Sequence, residues 1–320
     1  MRGRWEFFLS ALAVAKGLCE YPTARRMPAG GRRFGSQPRW EDVPTVNMQV
    51  RFWGARGSTP TPNRENLRYG GNTPCLEFRT KSGKLFILDC GTGFRQLGHA
   101  LLKRYGKKPI NARVFISHYH WDHIQGIPFF QPLYSPKNRF IFHGYPFQAE
   151  RVRASLEGQM ADPYFPVDMS MMKARRHFIG MEEENRINFD DLTVTTKMLH
   201  HPQGCLGFRL ECNGKVFTYA SDNEPGNKMG DRNVRDLAEG ADVFLYDAQF
   251  LPKEMKYRKG WGHSTWKEGV RIAKECKVKK LVLFHHDPDR SDKQLDEILK
   301  TARDHFDSVV AAKEGLTLTL

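Results

Sequence analysis

The stretch FISHYHWDHIQG, at residues 115–126, concentrates side chains that can bind metal ions. His118, His120, Asp122 and His123 fall within six consecutive positions of it. Neutral imidazoles and carboxylates are the usual protein ligands of zinc and similar ions, and alternate residues that leave a strand point to one side. A single histidine would be ordinary, whereas three histidines and an aspartate at H-x-H-x-D-H spacing predict a metal site.

Other metal-capable residues follow apolar runs elsewhere in the chain. Asp89 closes KLFILDC, His201 follows KMLH, Asp222 closes KVFTYASD, and His285 and His286 close KLVLFHH. Strand ends at one edge of a layered domain are where a site is assembled from distant parts of a sequence. Each residue alone would be explained as a turn cap or a member of a polar network. Together they supply the additional ligands that a second metal ion requires.

Alternating strand-like and helix-like runs, beginning at Met48, must position these residues. MQVRFWG, CLEFRT, KLFILDC, ARVFISH and RFIFHG predict a first set of strands, and LTVTTKML, CLGFRLEC, KVFTYASD, DVFLYDA and KLVLFHH predict a second. Helical spacing marks FRQLGHALLKRY, FQAERVRASLEGQM, STWKEGVRIAKECK and DKQLDEILKTARDHF. Two strand-rich halves with helices outside them predict an α/β fold, a four-layer αββα sandwich, as one domain over residues 48–320.

The composition is that of a globular protein with a basic surface. The 320 residues are 40% hydrophobic, and Lys+Arg 50 against Asp+Glu 36 gives a net charge of +14. This balance fits either a phosphate-bearing partner or a generally basic solvated surface. The six cysteines contain no C-x-x-C pair, so we expect a reduced, cytoplasmic setting. No apolar run approaches the roughly 20 residues of a membrane-spanning helix, so we expect no membrane association.

The first 47 residues differ from the rest of the chain. Two arginines precede the apolar run FFLSALAVA, as at the start of a secretory signal, but Lys16 follows the run at once. The stretch TARRMPAGGRRFGSQPRWEDVP is rich in Arg, Gly and Pro, as in a disordered extension or a transit segment. We predict that residues 1–47 are a disordered or mis-annotated extension, with Met48 as an alternative start.

The chain from Met48 onward resembles the metallo-β-lactamase-fold hydrolases. The resemblance rests on FWGARGSTPTP, YGGNTPCLEF, LDCGTG, SHYHWDHIQG, HHPQGCLGFRL, YASDNE, GWGHST and LFHHDP, in this order. It is strongest toward the branch of ribonuclease Z, the transfer-RNA 3′-processing endonuclease, and the cyclic-phosphate phosphodiesterases. In that branch a ligand His lies six residues before a Gly-aromatic-Arg triplet, which selects His201 over His200 here.

The resemblance implies a binuclear metal site and assigns its ligands. His118, His120 and His201 would hold one divalent ion, and Asp122, His123 and His285 the other, with Asp222 between them. Zinc is the expected metal, and manganese is the alternative. Two cations about 3.5 to 4 Å apart would convert a trapped water to hydroxide near neutral pH, and no Gly-x-Ser-x-Gly nucleophile is present. Asp89 resembles the family's aspartate that orients ligands through hydrogen bonds.

His263 in GWGHST is the informative residue outside the ligand set. It matches a non-ligand histidine that faces the scissile phosphate in the same branch, so His263 and Asp122 are the predicted catalytic residues. Ser264, Thr265 and His286 are predicted to bind substrate, since a helix N-terminus with hydroxyl side chains suits a phosphate. The alternative for Ser264 and Thr265 is a plain helix cap.

These features favour a hydrolase acting on a small or cyclic phosphodiester. His123 disfavours lactam hydrolysis, because lactam-hydrolysing members commonly lack a His after the motif Asp. Nothing between His143 and His200 looks like a long Gly/Pro-rich arm that grips transfer RNA, so nucleic acid is not the favoured partner. An endoribonuclease of the transfer-RNA 3′-processing type and a thioester hydrolase are the alternatives. Tyr164 and Phe165 would stack on a base or belong to the core.

Two further classes stay open. A redox member would use iron at the same ligands together with a flavin domain, and no flavin-domain sequence is present. A partner-binding protein that has lost activity would normally lack ligands, and none is missing. A homo-oligomer is a further alternative.

Overall fold

Short β-branched and aromatic runs become strands throughout the computed structural model, which describes residues 48–320. In LTVTTKML, buried and partly exposed side chains alternate as expected for a strand with one face on the core. LFIL, by contrast, is buried at every position, as expected for a strand covered on both faces. The predictions for residues 1–47 lie outside the described residues.

The described residues form fourteen strands and six α-helices. The strands are β1 (Met48–Gly54), β2 (Cys75–Thr80), β3 (Leu85–Leu88), β4 (Asn111–Phe115), β5 (Arg139–Gly144), β6 (Arg175–Gly180), β7 (Asn185–Phe189), β8 (Leu192–Leu199), β9 (Cys205–Cys212), β10 (Lys215–Ala220), β11 (Val243–Asp247), β12 (Leu281–Phe284), β13 (Val309–Ala311) and β14 (Thr317–Thr319). The helices are α1 (Gly93–Tyr105), α2 (Trp121–Ile124), α3 (Ala149–Gly158), α4 (Lys228–Ala238), α5 (Trp266–Glu275) and α6 (Asp292–Arg303).

The strands form two seven-stranded mixed sheets. One has the order β14-β1-β2-β3-β4-β5-β6, and the other has the order β13-β12-β11-β10-β9-β8-β7. Strands β3 to β6 are parallel in the first sheet, and β10 to β13 are parallel in the second. The carboxyl ends of parallel neighbours lie at one edge of a sheet, so each sheet presents a row of strand ends there.

The core lies between the two sheets, and helices cover the outer faces. Phe78 of the first sheet contacts Phe217 of the second, with ring centroids 6.2 Å apart. Helices α1 and α3 pack on the first sheet, and α4, α5 and α6 pack on the second. Truncating a fully buried Phe of this core to Ala would cost about 3 to 5 kcal/mol. The predicted αββα sandwich is confirmed.

The cysteines and the helices of the described residues bear on two expectations from the composition. The described cysteines, Cys75, Cys90, Cys205, Cys212 and Cys276, are buried. Within residues 48–320 no helix has the length and apolar character needed to cross a bilayer.

Candidate metal centre and active-site cleft

Strand ends of both sheets build the site, and their backbone is strained. Asp89 follows β3, Asp222 follows β10 and His285 follows β12. Their φ angles of 58°, 58° and 57° lie in the left-handed region, which is unfavourable for residues with a Cβ. The surrounding packing must offset this strain, which is typical of residues held in place for function.

His118, His120 and His201 form the first group of side chains that could bind a metal ion, and their role as ligands stays a prediction. The Nδ1–H of His201 donates to the carbonyl of Gly262 at 2.9 Å, so its Nε2 carries a lone pair. That lone pair faces Nδ1 of His120 at 3.1 Å. The Nε2 of His120 lies 3.0 Å from Oε1 of Gln203, so its Nδ1 is also an acceptor. Two acceptor nitrogens this close need a cation or a proton between them.

Asp122, His123 and His285 form the second group. Oδ2 of Asp122 lies 3.3 Å from Nε2 of His123 and 3.1 Å from Nε2 of His285. The two imidazole Nε2 atoms are 3.4 Å apart. The backbone N–H of Ser58 donates to the same Asp122 oxygen at 2.8 Å, which helps to hold the carboxylate in place.

Asp222 lies between the two groups, where the resemblance put a bridging ligand. Oδ2 of Asp222 is 3.3 Å from Nε2 of His123, and Oδ1 is 3.3 Å from Nε2 of His285. Its Oδ1 is also 3.9 Å from Nε2 of His118, a buried nitrogen with no hydrogen-bond partner among the described residues. The carboxylate therefore approaches ligands of both groups, and its bridging role stays a prediction.

Each histidine of the two groups is oriented by a hydrogen bond at its other ring nitrogen. Asp89 accepts the Nδ1–H of His123 at 2.8 Å, as predicted from the sequence. The other partners were not predicted from the sequence; they are Ser117 for His118, Gln203 for His120, Gly262 for His201 and Gln249 for His285. Such partners fix the tautomer and direction of a ligating imidazole. Gln203 lies two residues after His201, and Gln249 lies two residues after the end of β11. This proximity in sequence could have identified them.

The choice of His201 over its neighbour agrees with the geometry. His201 turns toward His120, whereas the Nδ1 of His200 lies 2.9 Å from the carbonyl of Glu224. A backbone hydrogen bond also holds His200 in this position: the N–H of Glu224 donates to the carbonyl of His200 at 2.8 Å.

His263 lies beside the two groups and is held by a carboxylate that was not predicted from the sequence. Its Nδ1–H donates to Oδ2 of Asp247 at 2.8 Å. Asp247 is fully buried at the end of β11, and it also accepts the backbone N–H groups of Asp222 and Ser264 at 3.1 and 3.0 Å. Asp222, Asp247, His263 and His285 form a further cluster of metal-capable groups. Asp247 ends DVFLYDA just as Asp89 ends its strand run, and this parallel could have identified it.

The three predicted substrate-binding residues are buried and are not among the residues that line the cleft at the site. Thr265 caps α5, because its hydroxyl accepts the backbone N–H of Glu268 at 3.2 Å. Ser264 is fully buried. The Nε2–H of His286 donates to the carbonyl of Ala312 at 2.8 Å, and the ring packs on Tyr69. These contacts fit the helix-cap alternative for Thr265, and substrate binding by the three side chains stays a prediction.

A cleft of about 400 Å³ opens onto the donor groups. It is lined by Ser58, Tyr119, His120, Trp121, Asp122, Asp222 and His263. Tyr164 is 77% exposed and Phe165 is partly buried against Phe129, and neither residue lines the cleft.

Burial and charge divide the cluster into neutral and charged groups. Burial lowers the pKa of His201 to about 4 and holds the pKa of His118 well below its usual value. Burial also acts against the charged form of His285, but Asp222 and Asp122 outweigh it and raise the pKa of His285 to about 9. For Asp222, burial acts to raise the pKa, while His285 and His123 hold it well below the usual range.

The donor set fits divalent metal ions. His118 and His201 are neutral at pH 7, which is the form that binds a cation. His120 and His201 face each other with nitrogen lone pairs, and the buried Nε2 of His118 has no hydrogen-bond partner among the described residues. These three nitrogens can therefore bind a cation. Imidazole and carboxylate donors of this kind suit zinc and manganese.

Comparison with known proteins places the chain among enzymes of this fold. A family model described as a beta-lactamase superfamily domain matches residues 85–286. Ribonuclease Z of Treponema denticola is 25% identical over 323 residues, covering 86% of this chain and 99% of that protein. The metallo-beta-lactamase fold protein YhfI from Bacillus subtilis has 21% identity and a TM-score of 0.63, covering 86% of this chain and 100% of that one. A diphosphatase from the PhnP family has 20% identity and a TM-score of 0.61, covering 86% and 98%. The resemblance found in the sequence is confirmed.

Proposed function

Since the chain belongs to the beta-lactamase superfamily and is a hydrolase of that fold, we propose that it is a phosphodiesterase acting on a small or cyclic phosphodiester. It would use two divalent ions, zinc or alternatively manganese. His118, His120 and His201 would hold one ion, Asp122, His123 and His285 the other, and Asp222 would contact both. When bound, such a pair of ions neutralises charge on a phosphoryl group and lowers the pKa of water.

The position of His263 carries the proposal. Its ring lines the cleft beside Asp222, and Asp247 holds Nδ1 at 2.8 Å, so Nε2 is the nitrogen left to meet a substrate. A thiolate leaves a thioester without needing a proton, whereas a basic alkoxide that leaves a phosphodiester does need one. A positioned imidazole N–H next to the donor groups is therefore most useful where the leaving group is a sugar or alkyl oxygen.

The chain's own residues divide the work of the reaction. Asp122 and Asp222 would position the metal ions, and Ser58 fixes Asp122 through its backbone N–H. Asp247 orients His263, which would hold a proton on Nε2 and pass it to the leaving oxygen. The walls of the cleft, Tyr119 and Trp121, would limit the access of bulk water.

The size of the cleft supports a compact substrate. About 400 Å³ accommodates a nucleotide-sized molecule. Between His143 and His200 the chain forms the helix α3, which packs on the first sheet, and the strands β6, β7 and β8, which belong to the two sheets. Residues 145–199 thus contribute one helix and three strands to the layers of the sandwich.

A transfer-RNA 3′-processing endoribonuclease is the second candidate. The similarity to ribonuclease Z over 86% of the chain favours it, as does the net charge of +14. Nucleic acid would then be the partner through phosphate contacts. A cytoplasmic location also stays a prediction.

One turnover screen separates the candidates. Protein loaded with zinc or manganese is assayed against bis(p-nitrophenyl) phosphate, cyclic nucleotides, a precursor transfer RNA and a thioester. We expect hydrolysis of the aryl ester and of at least one cyclic phosphodiester. Cleavage of precursor RNA alone would favour the endoribonuclease, and turnover of the thioester alone would overturn phosphodiester chemistry. Asp222→Ala, which removes the carboxylate between the two groups, serves as the inactive control.

A further inference from the structure

Trp121 presents a large aromatic surface at the mouth of the cleft. Its side chain is 76% exposed, although an indole is among the groups that gain most from burial. It lines the same cleft as Asp122 and His263. A single exposed apolar side chain is common on protein surfaces, so its meaning depends on where it is held.

The chain fixes Trp121 with respect to the reaction centre. It is the first residue of α2, and it lies directly between His120 and Asp122 in sequence. Both neighbours turn into the donor groups, while the indole faces the open side. Any phosphodiester whose phosphorus lies at the donor groups must extend a substituent past the residues that line the cleft. Trp121 is the largest exposed side chain among them.

The segment that leads to His263 adds aromatic rings and positive charge. Residues 253–259 contain four basic residues, Lys253, Lys256, Arg258 and Lys259. The Arg258 guanidinium lies 4.4 Å from the ring of Trp261, and Phe250 links that ring to His263 through edge contacts of 6.3 and 5.6 Å. Basic groups interleaved with aromatic rings are the usual surface for nucleotides, whose phosphates are anionic and whose bases are flat.

We propose that Trp121 is a stacking platform for a nucleobase, so that the substrate is a phosphodiester carrying a nucleoside on at least one side. The inference rests on the proposed phosphodiesterase function and narrows its substrate class. A sugar phosphate without a base would leave the indole exposed and gain nothing from it. Stacking uses the face of the base and not its hydrogen-bonding edge, so the platform accepts purines and pyrimidines alike, with purines bound more tightly.

The test compares two cyclic phosphates that differ only in the base. They are adenosine 2′,3′-cyclic phosphate and the 2,3-cyclic phosphate of methyl riboside, which share the same leaving alkoxides. Base stacking predicts a kcat/KM about five to a hundred times higher for the nucleotide in the wild-type protein. Trp121→Ala should abolish this preference, so that the ratio of the two kcat/KM values falls by that factor, whatever its effect on the two substrates in common.

Matched variants separate stacking from general hydrophobic contact. Trp121→Phe keeps a flat ring and should retain most of the preference, whereas Trp121→Leu keeps apolar area without a π face and should behave like the alanine variant. Leu67→Ala is the control for loss of an exposed apolar side chain outside the cleft, because Leu67 is 71% exposed and does not line the cleft. It should leave both substrates unaffected.

A binding measurement gives a readout that does not depend on turnover. Titration calorimetry compares adenosine 5′-monophosphate with ribose 5-phosphate on the metal-loaded protein. The nucleotide should bind about five to a hundred times more tightly, and Trp121→Ala should remove the difference.

The outcomes distinguish this inference from the proposed function. Hydrolysis of phosphodiesters with equal kcat/KM for the two cyclic phosphates would overturn the platform and leave the phosphodiesterase standing. A base preference that survives in Trp121→Ala would likewise overturn it. Absence of turnover on every phosphodiester would overturn the proposed function, and the calorimetric comparison would then decide the platform alone.

Discussion

Glu224 fixes the loop that carries His263, and replacing it tests how the site is held together. Its carboxylate is buried and accepts the backbone N–H of Gly260 at 2.9 and 2.8 Å and that of Gly262 at 2.8 Å. The carbonyl of Gly262 in turn accepts the Nδ1–H of His201. A Cβ at Gly262 would lie 2.2 Å from Nδ1 of His201, so the loop can approach the His201 ring this closely only with glycine at this position.

Glu224→Ala removes a charged acceptor from two backbone donors. A hydrogen bond to a charged group contributes about 1.5 to 3 kcal/mol, so the loop loses about 3 to 6 kcal/mol of local stability. His201 then loses its fixed carbonyl partner. Loss of such a partner typically lowers metal affinity about 10- to 100-fold. We expect weaker zinc binding and a lower kcat together, because His263 follows Gly262 directly.

Zinc affinity is measured by competition with a chromophoric chelator, and circular dichroism verifies that each variant is folded. Glu224→Gln keeps one acceptor oxygen but places an amide donor near the Gly260 N–H, so it should fall between the wild type and the alanine variant. Glu65→Ala, at an exposed carboxylate, is the control. A folded Glu224→Ala protein with wild-type zinc affinity would refute this reasoning.

Three further predictions follow from the same structure. Asp122→Ala should leave one metal ion per chain by elemental analysis, because His123 and His285 become an incomplete set; two equivalents would contradict the ligand assignment. Burial acts to raise the pKa of Glu77, but Arg79 and Arg104 outweigh it and lower the pKa, so the stabilisation is present above the unfolded pKa of about 4.3 and is lost as the pH falls through the folded value. Chemical denaturation should show that Glu77→Gln costs about 3 to 5 kcal/mol at pH 7 and less at pH 3, whereas a pH-independent loss would exclude the charge effect. A protein that starts at Met48 should fold and bind the same metal complement, and loss of folding would contradict the predicted domain boundary.

The sequence predicted the elements whose patterns are local. LTVTTKML, CLGFRLEC and RFIFHG coincide with β8, β9 and β5 because side-chain alternation and turn residues define their ends. Strands β6, β7, β13 and β14 were missed. RRHFIG and NRINF are half-exposed strands with charged faces, and β13 and β14 are three residues each. Their strand structure comes from pairing with distant neighbours, which a local pattern does not record.

The residues of the site also fall into two classes, those predicted from a local pattern and those brought together only by the fold. The H-x-H-x-D-H run and the aspartates after strands were readable because spacing along one chain segment sets their direction. Asp247, Gln249 and Glu224 act through hydrogen bonds between segments that only the fold brings together. The position of His286 could not be predicted from its neighbour. It follows His285 directly, yet the left-handed backbone at His285 turns the two rings apart, so adjacency in sequence did not mean adjacency in the site.

The central claim is that His263 serves phosphodiester hydrolysis by protonating a leaving oxygen, and leaving-group dependence tests it most directly. The measurement is the kcat ratio of wild type to His263→Ala on bis(p-nitrophenyl) phosphate and on a 2′,3′-cyclic nucleotide, with metal content determined in parallel. We expect both metal ions to be retained and a loss of roughly 10² to 10⁴ on the cyclic nucleotide. The loss on the aryl ester should be far smaller, since p-nitrophenolate departs unprotonated. Equal losses on the two substrates would contradict the assignment.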